Sequence, residues 1–353
     1  MHPPRLLQDL ELPVIQAPMA GVQDEALALA VSATGALGSI PCAMLDLVQL
    51  GRLMDRLALQ ALPVNLNFFC HPMPRPDAVV EQRWRDVLAP YYRELGIHPA
   101  EPSSAAVRRP IDETVVDLLA QYRPGILSFH FGLPPARLVQ RIKAWGATIL
   151  ASATTLEEAR WLERNGADIV IAQGIEAGGH RGHFLSDNLA LQPSTSELVE
   201  TCVAQLAVPI IAAGGVGGPH DVQALLAAGA AAVQAGTAYL LCPQARTPQV
   251  HRNALQREAL DTALTNLFSG RPARGIVNRL MRELGPLSPI PPAFPWASQA
   301  LMPLRAAAEA AGRDDFTPLW SGTAACRYPD VDAATITRHL AGSCSQADLP
   351  DRP

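Results

Sequence analysis

Eight short apolar runs punctuate this chain, at residues 13–17, 35–40, 63–68, 126–131, 148–151, 169–172, 209–213 and 231–235. Amphipathic stretches such as 24–34, 135–145, 155–165 and 220–228 lie between most of them. Strands of a parallel sheet covered on both faces read as unbroken apolar runs, and their alternation with helical patterns is the signature of βα units. The helix-to-strand joints repeat a phrase, Asn165-Gly166-Ala167 and Ala228-Gly229-Ala230, whose glycines suit the left-handed residue just past a helix end. A doubly wound sheet usually carries five or six strands, whereas eight units close on themselves. The expected architecture is α/β, a TIM (β/α)8 barrel.

Two stretches exceed a minimal barrel. After the third strand, residues 70–111 form a Pro-rich insertion with a helical pattern at 82–95. Residues 243–325 read as a helical, Pro-punctuated cap, with 268–275 and 286–295 as irregular connections. The expected layout is a barrel over 1–242, a helical cap or substrate domain over 243–325 from which the chain returns to the barrel, and a C-terminal helix with a mobile tail over 326–353. Both additions follow C-terminal ends of strands, where they can overhang the barrel mouth.

The chain has 353 residues, 48 % of them apolar, enough for a large core. A net charge of −5 and a pI near 6.0 give no support for a nucleic-acid partner. The apolar run 224–242 is broken by Gly229, Gln234, Gly236 and Thr237, so it reads as helix end, cap and strand rather than a membrane span. The first ten residues lack the apolar core of a secretory signal. Cys42, Cys70, Cys202, Cys242, Cys326 and Cys344 show no paired spacing, so reduced thiols in a cytoplasmic protein are expected. His71 beside Cys70 has no third ligand at suitable spacing, and no metal is expected.

Chemistry concentrates at 168–183, where an apolar run ends in Gln173-Gly-Ile-Glu176-Ala-Gly178-Gly179-His180-Arg181-Gly182-His183. Glycines let the backbone turn sharply or approach a ligand, and α/β barrels place their reactive groups just past the strand ends. His180 is the candidate reactive group. His183 reads as an exposed or outer histidine. Arg181 could attract an anionic substrate, be solvated, or pair with Glu176. His130, at the end of the fourth strand, reads either as a packed interior residue or as a pocket residue. The last two strands end in Gly214-Gly215-Val-Gly217-Gly218-Pro219 and Gln234-Ala235-Gly236-Thr237. These are the loops with which barrels commonly bind phosphate, through backbone N–H groups and a helix N-terminus. No G-x-G-x-x-G follows an early strand, which disfavours a Rossmann dinucleotide site.

Over roughly 10–325 the chain resembles class I of the nitronate monooxygenase family, FMN-dependent barrels. The resemblance is carried by Gln16-Ala-Pro-Met19-Ala-Gly, Asn65-Leu-Asn67-Phe, Ser128-Phe-His130-Phe-Gly, the Gln173–His180–Gly182 string, Ala213-Gly214-Gly215-Val, Gln234-Ala-Gly236-Thr237 and Gly270-Arg-Pro-Ala-Arg-Gly275. It implies an FMN phosphate on Gly214, Gly215, Gly236 and Thr237 with Gln234 beside it. It also implies a flavin ring backed by Ala17, Pro18 and Met19 and hydrogen-bonded by Asn67, Gln173 and Gly178. Gly179 and Ala235 complete the implied cofactor set. His180 matches the family's catalytic histidine, and His130 a second histidine lining the substrate pocket. Two positions depart from the family pattern: Thr323 stands where glutamine is usual, and Phe294 where a tyrosine precedes proline. Both bear on substrate choice.

The implied reaction is oxidation of alkyl nitronates, propionate 3-nitronate among them, by O2 to a carbonyl compound and nitrite, with His180 as base. A rival keeps barrel and FMN but makes the protein an NAD(P)H-dependent reductase of quinones or enoyl thioesters. A third reading is a phosphate-binding barrel without redox chemistry. The sequence leaves monomer or homodimer open.

Overall fold

The computed structural model describes residues 5–98, 108–324 and 328–344. The expected mobile tail falls almost wholly beyond residue 344, outside the described residues, as does Cys326.

All eight expected strands form one parallel sheet: β1 (Val14–Gln16), β2 (Gly38–Pro41), β3 (Val64–Phe69), β4 (Ile126–His130), β5 (Thr148–Ala153), β6 (Ile169–Gln173) and, after a two-residue strand β7 (Gly179–His180) outside the sheet, β8 (Ile210–Ala213) and β9 (Ala232–Ala235). The order β1-β9-β8-β6-β5-β4-β3-β2 closes through a bridge between Ile15 and Leu37. There the Gln16 N–H donates to the Leu37 carbonyl at 2.9 Å, and the Leu37 N–H to that of Val14 at 3.1 Å. The barrel is closed.

Helices Glu25–Ser32, Leu47–Ala58, Glu113–Tyr122, Ala136–Ala144, Leu156–Arg164, Thr195–Gln205 and Pro219–Ala227 follow successive strands. Asp46 with Gln49 and Ser194 with Glu197 start two of them as capping boxes, satisfying free N–H groups. Gly166 and Gly229 end two others at φ 105° and 101°. Beyond them the Ala167 N–H reaches Leu162 O (3.0 Å) and the Ala230 N–H reaches Leu225 O (3.1 Å), as the left-handed glycine predicts. The eighth barrel helix is Ala333–Leu340, whose Ala333, Ile336 and Leu340 join the main core.

Strand periodicity divides the labour. Outward residues such as Val14, Leu66, Phe129, Ile149, Val170 and Val233 pack on the helices. Inward residues form two layers. The lower one is apolar, with Ile15, Leu150, Ile171, Ile211 and Ala232, and Leu6 of the N-terminal helix Arg5–Asp9 joins it. The upper layer is polar: Asn67, Ser128, His130, Ser152, Gln173 and Gln234 line the cleft at the mouth. Alternation therefore turns one strand into a core contact and a site residue at once.

The segment 243–325, expected to be a helical cap, is helical only in part. It holds helices Gln249–Leu255, Arg279–Leu284 and Met302–Ala310, but also an antiparallel hairpin of β10 (Thr262–Thr265) and β11 (Ala273–Ile276). β7 adds to the edge of β11, with Ala273 opposite His180 and Arg274 opposite Gly179. Ala-Arg-Gly-Ile has little strand propensity of its own; tertiary pairing makes it a strand. The insertion helix Ala78–Glu94 packs Trp84, Leu88, Tyr91 and Tyr92 against Leu280, Met281, Leu304 and Phe316 of the cap in a second core. Trp84 Nε1–H donates to Ala297 O (3.1 Å) and Tyr92 O–H to Ala300 O (2.6 Å). Insertion and cap are thus one lid of two chain segments. No helix among the described residues is long and apolar enough to cross a membrane.

Candidate active site

A cleft of about 1350 Å³, its open mouth included, lies between the strand ends and the lid. All fifteen residues singled out from the sequence line it: Ala17, Pro18, Met19, Asn67, His130, Gln173, Gly178, Gly179, His180, Gly214, Gly215, Gln234, Ala235, Gly236 and Thr237. The fold brings them together from six barrel strands and the loop that carries β7.

The glycine-rich turn is held from three sides. From the barrel, Gln173 donates its Nε2–H to the His180 carbonyl (3.0 Å) and accepts the Gly182 N–H on Oε1 (2.7 Å). His130 Nε2 also faces the His180 carbonyl, at 3.2 Å. A carbonyl only accepts, so that nitrogen carries the proton. His130 therefore lines the cleft and also supports the carbonyl of the next histidine. From the lid, Pro272 O accepts the Arg181 N–H (2.9 Å), and Arg274 Nε–H reaches back to Ile175 O (2.9 Å).

From below comes Arg181, and here the expectation is corrected. Its side chain is wholly buried, donating to Gly174 O (2.7 Å), Gln173 O (2.8 Å) and Gln192 Oε1 (2.7 Å). It neither faces a substrate nor pairs with Glu176, whose Oε2 accepts the Thr195 N–H (2.9 Å) and O–H (2.8 Å). A guanidinium has five donors in a fixed fork, which suits three acceptors arrayed around one turn. His183 is likewise not exposed: it is buried, with Nε2 3.4 Å from Asp187.

His180 Nε2 lies 2.8 Å from Ser269 Oγ, on the loop between β10 and β11. Its ring sits among Phe131, Phe294 and Trp320, with centroids 6.2, 5.4 and 5.5 Å away. Burial pushes the imidazole's pKa well below its ordinary value, and Arg108, His130, Arg271 and His71 push it the same way. His130 is driven to about 3, chiefly by burial. Both rings are neutral at pH 7. Arg108 also lines the cleft. Arg271 lies over the Phe131 ring at 4.3 Å and donates to the His183 carbonyl. With Arg181 and Arg274 these arginines put positive charge around the cleft while bonding to carbonyls, an amide and a hydroxyl rather than to carboxylates. Such a field favours an anion.

The two late turns are built for close approach. Gly214 has φ 122°, and a Cβ there would lie 2.7 Å from Thr195 Oγ1 and 2.9 Å from Ala177 N. A Cβ on Gly178 would lie 2.5 Å from Gly322 N, so the chain at 321–322 closes onto the glycine turn. The Gly215, Val216, Gly236 and Thr237 N–H groups have no protein acceptor among the described residues. Beyond Gly218 starts the helix Pro219–Ala227, and the Gln234 side-chain oxygen is buried without a partner among the described residues. Orphaned donors and acceptors at the end of a cleft are what a polar, phosphate-bearing ligand satisfies.

Of the two departures noted in the sequence, Phe294 reaches the site, as part of the aromatic wall beside His180. Thr323 does not line the cleft and bonds Glu176 O through its backbone N–H (3.0 Å). Among the described residues no three His, Cys, Asp or Glu side chains are grouped to hold a metal ion. Cys42, Cys70, Cys202 and Cys242 are free thiols.

A family model described as nitronate monooxygenase matches residues 5–335. The chain belongs to the nitronate monooxygenase family. Nitronate monooxygenase of Pseudomonas aeruginosa is 40 % identical over 339 residues, covering 95 % of this chain and 96 % of that protein. The Paraburkholderia phytofirmans enzyme of the same name is 38 % identical over 346 residues, covering 97 % and 94 %. Among solved structures, nitroalkane oxidase from Streptomyces ansochromogenes superposes with a TM-score of 0.86 at 34 % identity, over 96 % of this chain and 97 % of that one. FabK from Thermotoga maritima gives 0.68 at 22 % identity over 97 % and 96 %, a likeness of fold alone. The protein is accordingly an oxidoreductase enzyme of this family, built on a TIM barrel.

Proposed function

We propose that the protein holds one FMN in the cleft and uses O2 to oxidise alkyl nitronates, releasing a carbonyl compound and nitrite. The observation that carries this reading is that His180 and the two orphaned glycine turns open onto the same cleft. The turns at Gly214–Val216 and Gly236–Thr237 would take the phosphate, and Gln234 a polar group of the cofactor. Asn67, Gln173 and Gly178 would hydrogen-bond the ring system, with Ala17, Pro18 and Met19 behind it. When bound, the flavin supplies the electron transfer and oxygen activation that side chains cannot.

The chain's own residues do the rest. The arginine field draws an anionic nitronate to the cleft. For a neutral nitroalkane, the neutral His180 imidazole takes the proton from the carbon that bears the nitro group, and the bonding pair stays behind as the nitronate. The imidazolium so formed, disfavoured by the arginines, is compensated by the anion made in the same step. Phe131, Phe294 and Trp320 keep water from the reacting atoms.

The test is to follow O2 uptake and nitrite release with propionate 3-nitronate on the purified protein, then to mix it anaerobically with NADPH and with NADH. Nitrite release with little flavin bleaching by either nucleotide supports the reading. Rapid bleaching by either nucleotide without nitrite release makes the protein a flavin reductase instead.

A further inference from the structure

The hydrogen bonds around Ser269 determine which nitrogen of His180 is free. Ser269 is buried, and its Oγ meets three groups: His180 Nε2 at 2.8 Å, Arg271 O at 3.2 Å and Arg271 N at 3.4 Å. A hydroxyl has one proton to give and two lone pairs. If that proton goes to the Arg271 carbonyl, the lone pairs accept the Arg271 N–H and an Nε2–H of His180, and every contact is satisfied. If it goes to His180 instead, the Arg271 carbonyl loses the one donor recorded for it among the described residues. Full satisfaction of buried polar groups selects the first arrangement.

The loop is fixed firmly enough for this choice to matter. Gly270 N–H donates to Asn266 O (2.8 Å), and Asn266 exchanges hydrogen bonds with Ser288 (2.7 and 3.0 Å). A Cβ on Gly270 would lie 2.1 Å from Pro292 O, so the turn that presents Ser269 is seated against the chain leading to Phe294. Phe131, Phe294 and Trp320 surround the His180 ring. His180 Nδ1 has no hydrogen-bond partner among the described residues and is not among the enclosed unpartnered atoms, so it faces the cleft that the residue lines.

We propose that Ser269 is a positioning residue that holds neutral His180 as the Nε2–H tautomer, leaving the Nδ1 lone pair as the atom that accepts the substrate's carbon-bound proton. This rests on His180 acting as the base. In the step, the C–H bond breaks, the proton bonds to Nδ1 and the electron pair remains on the nitronate. The resulting charge is shared along Nε2–H to Ser269 to the Arg271 carbonyl. Preformed nitronates have already lost that proton, so the tautomer matters chiefly for neutral nitroalkanes.

The test combines tautomer and kinetics on the flavin-loaded enzyme. With 15N-labelled histidine, and H180N to assign the signals, His180 is expected to show a protonated Nε2 and a bare Nδ1; an Nδ1–H tautomer in the unsubstituted enzyme overturns the proposal. For S269A, kcat/KM on a neutral nitroalkane relative to its preformed nitronate is expected to fall about 3–10-fold, the worth of one neutral hydrogen bond, and S269T to restore the ratio. An unchanged ratio, or an equal loss on both substrates, also overturns it. Should S269A fail to fold, the tautomer measurement decides alone. If H180N itself turns over the neutral nitroalkane at full rate, the base assignment fails, and that outcome is separate from the tautomer result.

Discussion

Replacing Arg181 by alanine separates two roles that the sequence alone could not distinguish. The side chain is fully buried and gives three hydrogen bonds, two to carbonyls of the turn after β6 and one to Gln192. Burial pulls its pKa down to about 10, with Arg274 adding to the effect, so the group stays charged at pH 7 but is held against a desolvation cost. Hydrogen bonds to a charged donor contribute about 1.5–3 kcal/mol each, part of which offsets that cost, and removing one side of a buried charged network typically costs about 3–5 kcal/mol. At ~2.1 cal/mol/K per residue, a chain of this size unfolds with an entropy near ~0.7 kcal/mol/K, so R181A should lower Tm by roughly 4–7 °C. Flavin content and activity should fall together, because the same turn carries Gly178, Gly179 and His180. R181K should not restore them, since a single ammonium cannot span three acceptors set around a turn. Differential scanning fluorimetry and the visible spectrum of each variant suffice. An R181A protein with unchanged Tm but a raised KM for the anionic nitronate would refute the structural role and revive substrate attraction.

Three further outcomes are expected. H180N should retain its flavin and lose about 10²–10⁴-fold in turnover of neutral nitroalkane, the usual scale of general-base catalysis, read by nitrite release; full activity would remove His180 from the base role. Stability should fall on mild acidification: His71, His183 and His251 are buried with pKa values lowered to about 4 and His130 to about 3, so below pH 6.5 the unfolded chain binds protons that the folded one does not. Each contributes up to ~1.4 kcal/mol per pH unit, until pH falls through its folded pKa; urea midpoints between pH 7 and 5 measure the sum, and a flat profile contradicts it. G214A should lose flavin because its Cβ collides with Thr195 and Ala177, whereas G51A, in a helix with open space around it, should keep flavin and gain about 0.5–1 kcal/mol; equal retention in both variants would count against the cradle.

The barrel was legible because its strands are covered on both faces, so each had to be an apolar run, and the glycines at 166 and 229 marked where helices stop. The site residues were legible for a related reason: the upper inward layer interrupts those runs with Asn67, Ser128, His130, Gln173 and Gln234, polar residues a buried strand tolerates only where they meet a ligand or each other. What escaped the sequence depends on contacts between distant segments. β11 is a strand because β10 and β7 lie on either side of it. Ser269, Arg271 and Arg274 sit in a motif that read as an irregular connection, yet all three act on the loop of His180 from more than 80 positions away. Arg181 was ambiguous because a charged residue after a glycine turn usually meets solvent; the carbonyls of residues 173 and 174, with the Gln192 amide oxygen, give it a buried place. Arg108 comes to the cleft from the insertion, far in sequence from the strand ends it meets, which no periodicity reports.

The most direct test of the account is the visible absorption spectrum of the purified protein before and after heating, with the released chromophore identified by chromatography. The expected result is a yellow protein that yields about one FMN per chain and releases nitrite when given propionate 3-nitronate. A colourless protein that gains neither colour nor activity on incubation with FMN would contradict it.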